Sequence, residues 1–284
     1  MSIKSISLTD KIISQKEVKD FLQKADLNQR GSLIGLFDKE KIIGAGSLYT
    51  NSFHPYRDYI NIHIDKDYRN KGLRSRLLKA LKEKSEKKRF QVMCSSGKEE
   101  LIQFLLKEGF VLARRSYSFD LKKEAQNIFL SKETSIEFKN MQIKPLINLN
   151  SKEKEEFKKI FYFNYADTHK SINPLNKDIC IKEFSNEILA DCDKEKSSCL
   201  ISNNKVSAYV IVYMENLPEI GYLGGKTIEE IETYLNYFQV IINNLLNAYE
   251  QIYFEIDDTD YYAFPLMTVL QINCKESYNT YILN

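Results

Sequence analysis

Arg69, Asn70, Lys71, Gly72, Leu73, Arg74 and Ser75 follow one another where a polar-faced strand runs into an amphipathic helix. Residues of these types at a helix start suit one task, holding phosphate. The first amides of a helix lack intrahelical partners, and the helix dipole places partial positive charge at the same point. Gly72 lets the backbone approach a ligand closely, while Arg69, Lys71, Arg74 and Arg76 ring the terminus with cations. The expected occupant is a pyrophosphate.

Two other stretches offer chemistry on composition alone, and spacing argues against both. Gly225-Lys226-Thr227 resembles the end of a nucleotide-binding loop, but the first glycine of that motif would fall on Ile220, with Gly221 one residue out of register. Glu229 and Glu230 follow and would repel phosphate there. The acidic run from Glu255 to Asp260 lacks the glycine and distal glutamate of a calcium loop, and reads as a strand end followed by a helix N-cap. Cys94, Cys180, Cys192, Cys199 and Cys274 form no C-x-x-C pair and have no histidine nearby to complete a zinc set. They read as free thiols in a reducing compartment, and no metal is expected.

The elements that must position the basic turn can be read from periodicity. A chain of 284 residues exceeds what one core usually fills, so two domains are expected. Ile3 to Ile6 followed by an amphipathic helix from Lys16 is echoed by Ile143 to Leu146 followed by Lys152 to Phe163, which suggests a duplication. Leu33–Phe37 and Ile42–Tyr49 read as a hairpin, and Tyr59–Asp65 as a strand alternating Ile60, Ile62 and Ile64 with polar residues. A helix is predicted over 73–88, a strand over 90–94, a helix over 99–108 closed by Gly109, and a strand over 111–121. The second half repeats the order, with strands at 198–201, 206–213, 219–223, 252–256 and 274–283 and helices at 228–249 and 261–270. The predicted class is α/β (α+β): domains over 1–122 and 141–284, each a mixed, mostly antiparallel twisted sheet flanked by helices, joined by a structured connection over 123–140.

The motif and its flanks are similar to those of the GNAT superfamily of N-acetyltransferases. That family carries R/Q-x-x-G-x-G/A between a strand and a helix, and here Arg69, Gly72 and Arg74 hold the three positions. Ile62, Ile64, Asp65, Asp67 and Tyr68 before it, and Gly109-Phe110 after the next helix, fit as well. The resemblance covers roughly residues 30 to 121 and implies two tandem GNAT-like domains, the second degenerate. It implies acetyl-CoA as co-substrate, with the amides of Asn70 to Ser75 cradling its pyrophosphate and the backbone of Ile62 and Ile64 meeting its pantetheine arm. Two positions depart from the family pattern. Arg74 stands where a small residue is usual, and Leu105 stands where many members carry the tyrosine that protonates the leaving thiolate. The implied reaction is direct attack of a free amine on the thioester in a ternary complex. An alkylammonium with a pKa of about 10.4 must first lose a proton, and His63 on the same strand is the candidate base. His54 is a weaker candidate for the substrate wall. The other reading is a catalytically silent protein that senses acyl-CoA.

Charge bounds the partners. Residues 1–140 hold 28 Lys and Arg against 18 Asp and Glu, a net of +10, whereas residues 141–284 hold 13 against 21, a net of −8. A basic half suits an anionic cofactor and an acidic half a cationic acceptor, so the expected partner is a small-molecule or peptide amine. Lys79, Lys82, Lys84, Lys87, Lys88 and Arg89 lack interleaved aromatics and read as a solvated helix face, so no nucleic-acid partner is expected. No apolar stretch reaches membrane length, and the opening residues carry charges every few positions, so a cytoplasmic monomer or homodimer is expected.

Overall fold

The computed structural model describes residues 1–6, 16–25, 27, 31–125 and 140–284. Most of the predicted connection over 123–140 therefore lies outside the described residues. Packing divides the chain into two compact units that do not follow a single cut. Unit 1 comprises Met1–Ala113, Ile172–Asn176 and Asn279–Asn284, and unit 2 comprises Arg114–Ser171 and Lys177–Tyr278.

The first run of elements is β1 (Ser2–Ile6), α1 (Lys16–Lys24), β2 (Ser32–Asp38), β3 (Lys41–Tyr49), β4 (Asp58–Ile64), α2 (Leu73–Lys84), β5 (Phe90–Ser95), α3 (Glu99–Lys107) and β6 (Val111–Lys122). The second is β7 (Met141–Pro145), α4 (Ser151–His169), α5 (Ile181–Ile188), β8 (Ser198–Ser202), β9 (Lys205–Met214), β10 (Pro218–Gly225), α6 (Ile231–Ala248), β11 (Gln251–Asp257), α7 (Phe264–Val269) and β12 (Tyr278–Leu283). Element order follows the expected pattern. Several boundaries and one element differ: β12, α6 and α7 begin three or four residues later than predicted, at Tyr278, Ile231 and Phe264. α2 stops at Lys84 rather than Lys88, because Ser85 turns inward and donates to Asp58 Oδ2 at 2.6 Å, and Lys88 adopts φ 59°. α4 runs on to His169, and α5 has no counterpart among the predicted helices.

In unit 1 the strand order is β1-β2-β3-β4-β5-β12. β1 to β4 are antiparallel neighbours, and β4 and β5 are parallel. Leu73, Leu77, Leu78 and Leu81 of α2 are buried against Ile34, Leu36, Ile43, Ile60 and Ile64. Each such leucine contributes roughly 1.5–3 kcal/mol by leaving water, and together they fix where α2 begins relative to the end of β4. On the other side, Val18 and Leu22 of α1 bury against Ile6, Leu33, Phe37 and Ile42.

In unit 2 the order is β6-β11-β10-β9-β8-β7, antiparallel except for the parallel β10–β11 pair. α6 is apolar around much of its circumference, and Tyr234, Tyr237, Phe238, Ile242 and Leu246 are fully buried on the sheet. α4 opens with a capping box in which Asn150 and Glu153 satisfy each other's backbone amides. Among the described residues no helix is long and apolar enough to cross a membrane, and no three His, Cys, Asp or Glu side chains are grouped to hold a metal.

Candidate cofactor site

β4 and β5 pair in register only at Asp58↔Phe90 and Tyr59↔Gln91, so β5 leaves the edge of β4 beyond Tyr59 uncovered. Which backbone groups face that gap follows from alternation along the strand. The Asp58 amide donates to Arg89 O at 2.9 Å on the β5 side, and the Asp65 amide donates to Ile43 O at 2.9 Å on the β3 side. Even-numbered residues thus turn their backbone groups toward the gap; those of Ile62 find no β5 partner there, and the Ile64 carbonyl accepts from Arg69 Nε at 3.5 Å.

Beyond Ile64 the chain makes a short 3-10 turn over Lys66–Tyr68, closed by Asp65, whose side chain accepts from the Asp67 amide at 3.0 Å. Asn70 and Gly72 follow with φ of 59° and 69°. Asparagine tolerates the left-handed region and glycine adopts it without strain, which explains these residue types here. A Cβ on Gly72 would meet nothing within 4 Å, so the glycine is required by backbone conformation and leaves open space before the helix. Gly72 is the N-cap of α2, makes no side-chain cap bond, and no acidic residue lies in the first turn. The first helical amide to bond within this turn is that of Arg76, to Gly72 O at 3.3 Å. The contrast with the closed capping box of α4 is plain: α2 begins with its amides open and cations around them.

A depression of about 600 Å³ lies over this terminus. Ile64, Arg69, Asn70, Gly72, Leu73, Arg74 and Ser75 line one side, and α3 supplies Glu99, Glu100, Gln103, Phe104 and Lys107 on the other. Ile62, His63 and Lys71 are not among the lining residues. Lys71 Nζ instead bonds Asp67 O at 3.1 Å and lies 5.0 Å over the Tyr68 ring. Ser75 Oγ donates to Glu108 Oε1 at 2.6 Å. Arg74 turns toward α3, its guanidinium 5.3 Å over the Phe104 ring and bonded to Glu100 O at 3.2 Å. Burial, and less strongly the charge of Arg69, lower its pKa, while Glu100 opposes them. Arg69 makes a 3.6 Å ion pair with Glu100 in an exposed setting, a contact that a phosphate would compete for.

His63 is half-buried on β4, its ring edge-on to Phe21 of α1 at 5.4 Å. Burial first, then the charges of Arg69, Lys98 and Arg74, hold its pKa below the ordinary value, with Asp65 acting the other way. The imidazole is therefore neutral at pH 7 and able to accept a proton. His54 is a structural residue rather than a wall for substrate. It is buried, its Nδ1 donates to Asn173 O at 2.7 Å, and Asn173 Nδ2 donates to His54 O at 2.8 Å. Leu105 is 1% exposed and belongs to the core of unit 1.

The matching region of unit 2 is closed. Gly225 takes a Cβ-free residue because the Tyr234 ring lies against its backbone, and Asn164 Nδ2 donates to its carbonyl at 3.0 Å. Glu230, the N-cap of α6, accepts from Tyr234 Oη at 2.7 Å and from Ser207 Oγ at 3.0 Å. A buried tyrosine covers the backbone of Gly225 at the end of β10, and carboxylates lie at the start of the helix. Asp260 Oδ1 accepts from the Tyr262 and Ala263 amides at 2.9 Å each, which closes a turn ahead of α7 rather than capping it, since the N-cap of α7 is Ala263 and makes no side-chain bond. All five cysteines are free thiols.

Comparison with known proteins agrees with this geometry. Residues 3–110 match the acetyltransferase (GNAT) family. No curated protein sequence matched the chain. Among solved structures, a GCN5-related N-acetyltransferase from Sphaerobacter thermophilus superposes with a TM-score of 0.60 at 8% identity, covering 94% of this chain and 85% of that one. A tandem GNAT protein from the clavulanic acid biosynthesis pathway gives 0.56 at 7% identity, covering 99% and 98%. A probable N-acyltransferase from Enterococcus faecalis gives 0.51 at 13%, covering 99% and 72%. Proteins of this family use acyl-CoA as co-substrate, and the fold supports acyl transfer from it. Residues 3–110 thus match the acetyltransferase (GNAT) family, and the chain as a whole shares the fold of a tandem GNAT protein.

Proposed function

We propose that unit 1 binds acetyl-CoA at the β4–α2 turn and transfers the acetyl group to an amine of a small molecule or peptide by direct attack in a ternary complex. The observation that carries this reading is the uncapped, cation-ringed start of α2 at the foot of an unpaired strand edge. Pyrophosphate meets the first amides of α2 together with Arg69 and Arg74. Amides of the pantetheine arm meet the backbone of Ile62 and Ile64. The amine loses its proton to neutral His63 through a water relay, since His63 does not line the depression itself. Free thiols fit a reducing compartment, and we place the protein in the cytoplasm.

Titration of the full chain with acetyl-CoA by calorimetry, followed by thiol-release assays over a panel of amines, tests the reading. One molecule of acetyl-CoA is expected per chain, because unit 2 has no open counterpart of the turn. Replacing Arg69 and Arg74 together with Ala is expected to weaken binding roughly 100-fold, at about tenfold for each charge-assisted contact. Unchanged affinity in that variant would remove the proposed site.

For the base, the sign follows from the lowered pKa. His63 accepts a proton only when neutral, so kcat/KM is expected to hold above pH 6.5 and to fall as pH drops through the lowered pKa. His63→Gln is expected to abolish that acidic limb, as a pH–rate profile would show; a limb that survives in the variant assigns the base elsewhere. Buried Leu105 favours a second reading, acyl-CoA sensing without turnover. Binding of acetyl-CoA with no thiol release from any amine would select it.

A further inference from the structure

A second large cavity, about 600 Å³, lies wholly within unit 2. Its origin is a departure from regular pairing. β10 and β11 are in parallel register only at Glu219↔Tyr253 and Ile220↔Phe254. Immediately afterwards β10 carries a bulge between Ile220 and Tyr222. A bulge re-aims the side chain that follows it. Gly221 sits in the bulge, where a Cβ would fall 2.6 Å from the Tyr213 ring. The glycine thus lets that ring lie on the strand as one wall.

Tyr222 projects among three further rings, with centroids 5.1 Å from Phe161, 6.1 Å from Tyr165 and 6.4 Å from Tyr213. It lines the cavity, yet its hydroxyl makes no hydrogen bond among the described residues. The hydroxyl is left to the cavity, where a ligand could supply the hydrogen-bond partner that the protein does not.

Charge around the rings is one-sided. Glu187, Asp191, Glu219, Glu255, Asp257 and Asp260 all line the cavity, and the lining contains no lysine. Arg114 is already held by Asp257 at 2.8 Å. Glu219 and Glu255 make no ion pair among the described residues. Burial raises the pKa of both carboxyls, Glu255 and Glu215 add to the effect on Glu219, and Asp257 adds to that on Glu255. Carboxylates that repel one another in a half-enclosed space are relieved by a cation. A hard metal ion is served by oxygen ligands alone, whereas aromatic faces attract organic ammonium groups. The size lies within the range of sites for small organic molecules, about 300–1,000 Å³.

We infer that this cavity is a binding site for an organic ammonium ion of the di- or polyamine class, held between the Tyr165, Tyr213 and Tyr222 rings and the Glu219 and Glu255 carboxylates. The site belongs to unit 2 alone and stands whether or not unit 1 turns over acetyl-CoA.

Calorimetric titration of the full chain with spermidine, and separately with putrescine and tetramethylammonium, in the absence of acyl-CoA tests it. One spermidine per chain is expected, bound more tightly than tetramethylammonium, which cannot donate hydrogen bonds. The E219Q/E255Q variant keeps shape and removes two charges, and is expected to weaken spermidine at least tenfold. Tyr222→Phe is expected to weaken it severalfold without altering the fold. Glu232→Gln, an exposed carboxylate on α6, should leave affinity unchanged. No measurable binding of any of the three probes overturns the inference. So does an equal loss in E219Q/E255Q and Glu232→Gln, which would show diffuse attraction to an acidic surface. Neither outcome would touch acetyl-CoA binding at the β4–α2 turn, which is measured separately.

Discussion

Ending the chain at Tyr278 is expected to destroy the N-terminal unit, although the deleted residues lie more than 160 positions from its main segment. Asn279–Asn284 belong to unit 1, where β12 is the strand beside β5. Asn279, Thr280, Tyr281 and Ile282 are 5%, 0%, 3% and 7% exposed. Burial of Tyr281 and Ile282 contributes roughly 1.5–3 kcal/mol each, and every ladder hydrogen bond about 1 kcal/mol more. Deletion also strands Arg57, 7% exposed, whose Nη1 donates to Leu283 O at 3.0 Å and Nη2 to Asn284 Oδ1 at 2.7 Å. Only the Ile172 carbonyl, which accepts from Arg57 Nε, would remain, and a buried guanidinium that loses two of its three acceptors is destabilised by about 1–3 kcal/mol or more. The sum consumes most of a typical domain stability of about 5–15 kcal/mol. Calorimetric unfolding should lose the transition of unit 1, and acetyl-CoA binding should vanish with it. A truncated chain that still binds acetyl-CoA with unchanged affinity would contradict this role of β12.

The second large effect is expected from one methyl group. In Gly225→Ala the new Cβ falls within the van der Waals contact distance of the Tyr234 ring, and neither side can yield easily. Tyr234 is fully buried and its hydroxyl is tied to Glu230 and Ser207. Asn164 holds the Gly225 carbonyl from the other direction. Overpacking of this kind costs about 1–3 kcal/mol, and a unit of this size loses roughly 2–4 °C of melting temperature for each. A fall of several degrees in thermal unfolding is expected. Gly72→Ala is the informative contrast. There the only penalty is the positive φ, about 1 kcal/mol, because nothing surrounds the new atom. An equal effect of the two substitutions would mean that Tyr234 rearranges and the region is less rigid than its contacts imply.

The β4–α2 region was readable in the sequence because everything that defines it is local. Strand alternation, the left-handed asparagine and glycine, and the leucine spacing of α2 all fall within Tyr59–Lys84. What escaped depends on partners far along the chain. His54 looks like a loop histidine until Asn173, 119 residues away, closes a pair of hydrogen bonds around it. β6 and β12 alternate similarly, and nothing in either segment says that β6 pairs with β11 or that β12 lies beside β5. α5 is only eight residues long, and its N-cap, Cys180, makes no side-chain cap bond, so it lacked a start signal. The unit 2 cavity could be anticipated only as an excess of negative charge. Its three tyrosine rings and the Glu219 and Glu255 carboxylates come from α4, β9, β10 and β11, and the bulge beside them is set by a register that no local pattern displays.

The interleaved segments also set a timetable. A domain built from one continuous stretch can close while the ribosome is still extending the chain. Unit 1 cannot, since it needs Ile172–Asn176 and then Asn279–Asn284. Unit 2 has its last residue, Tyr278, in hand before unit 1 receives its final strand. During synthesis the edge of β5 beside the eventual place of β12 therefore stays open, and the half made first is the half finished last.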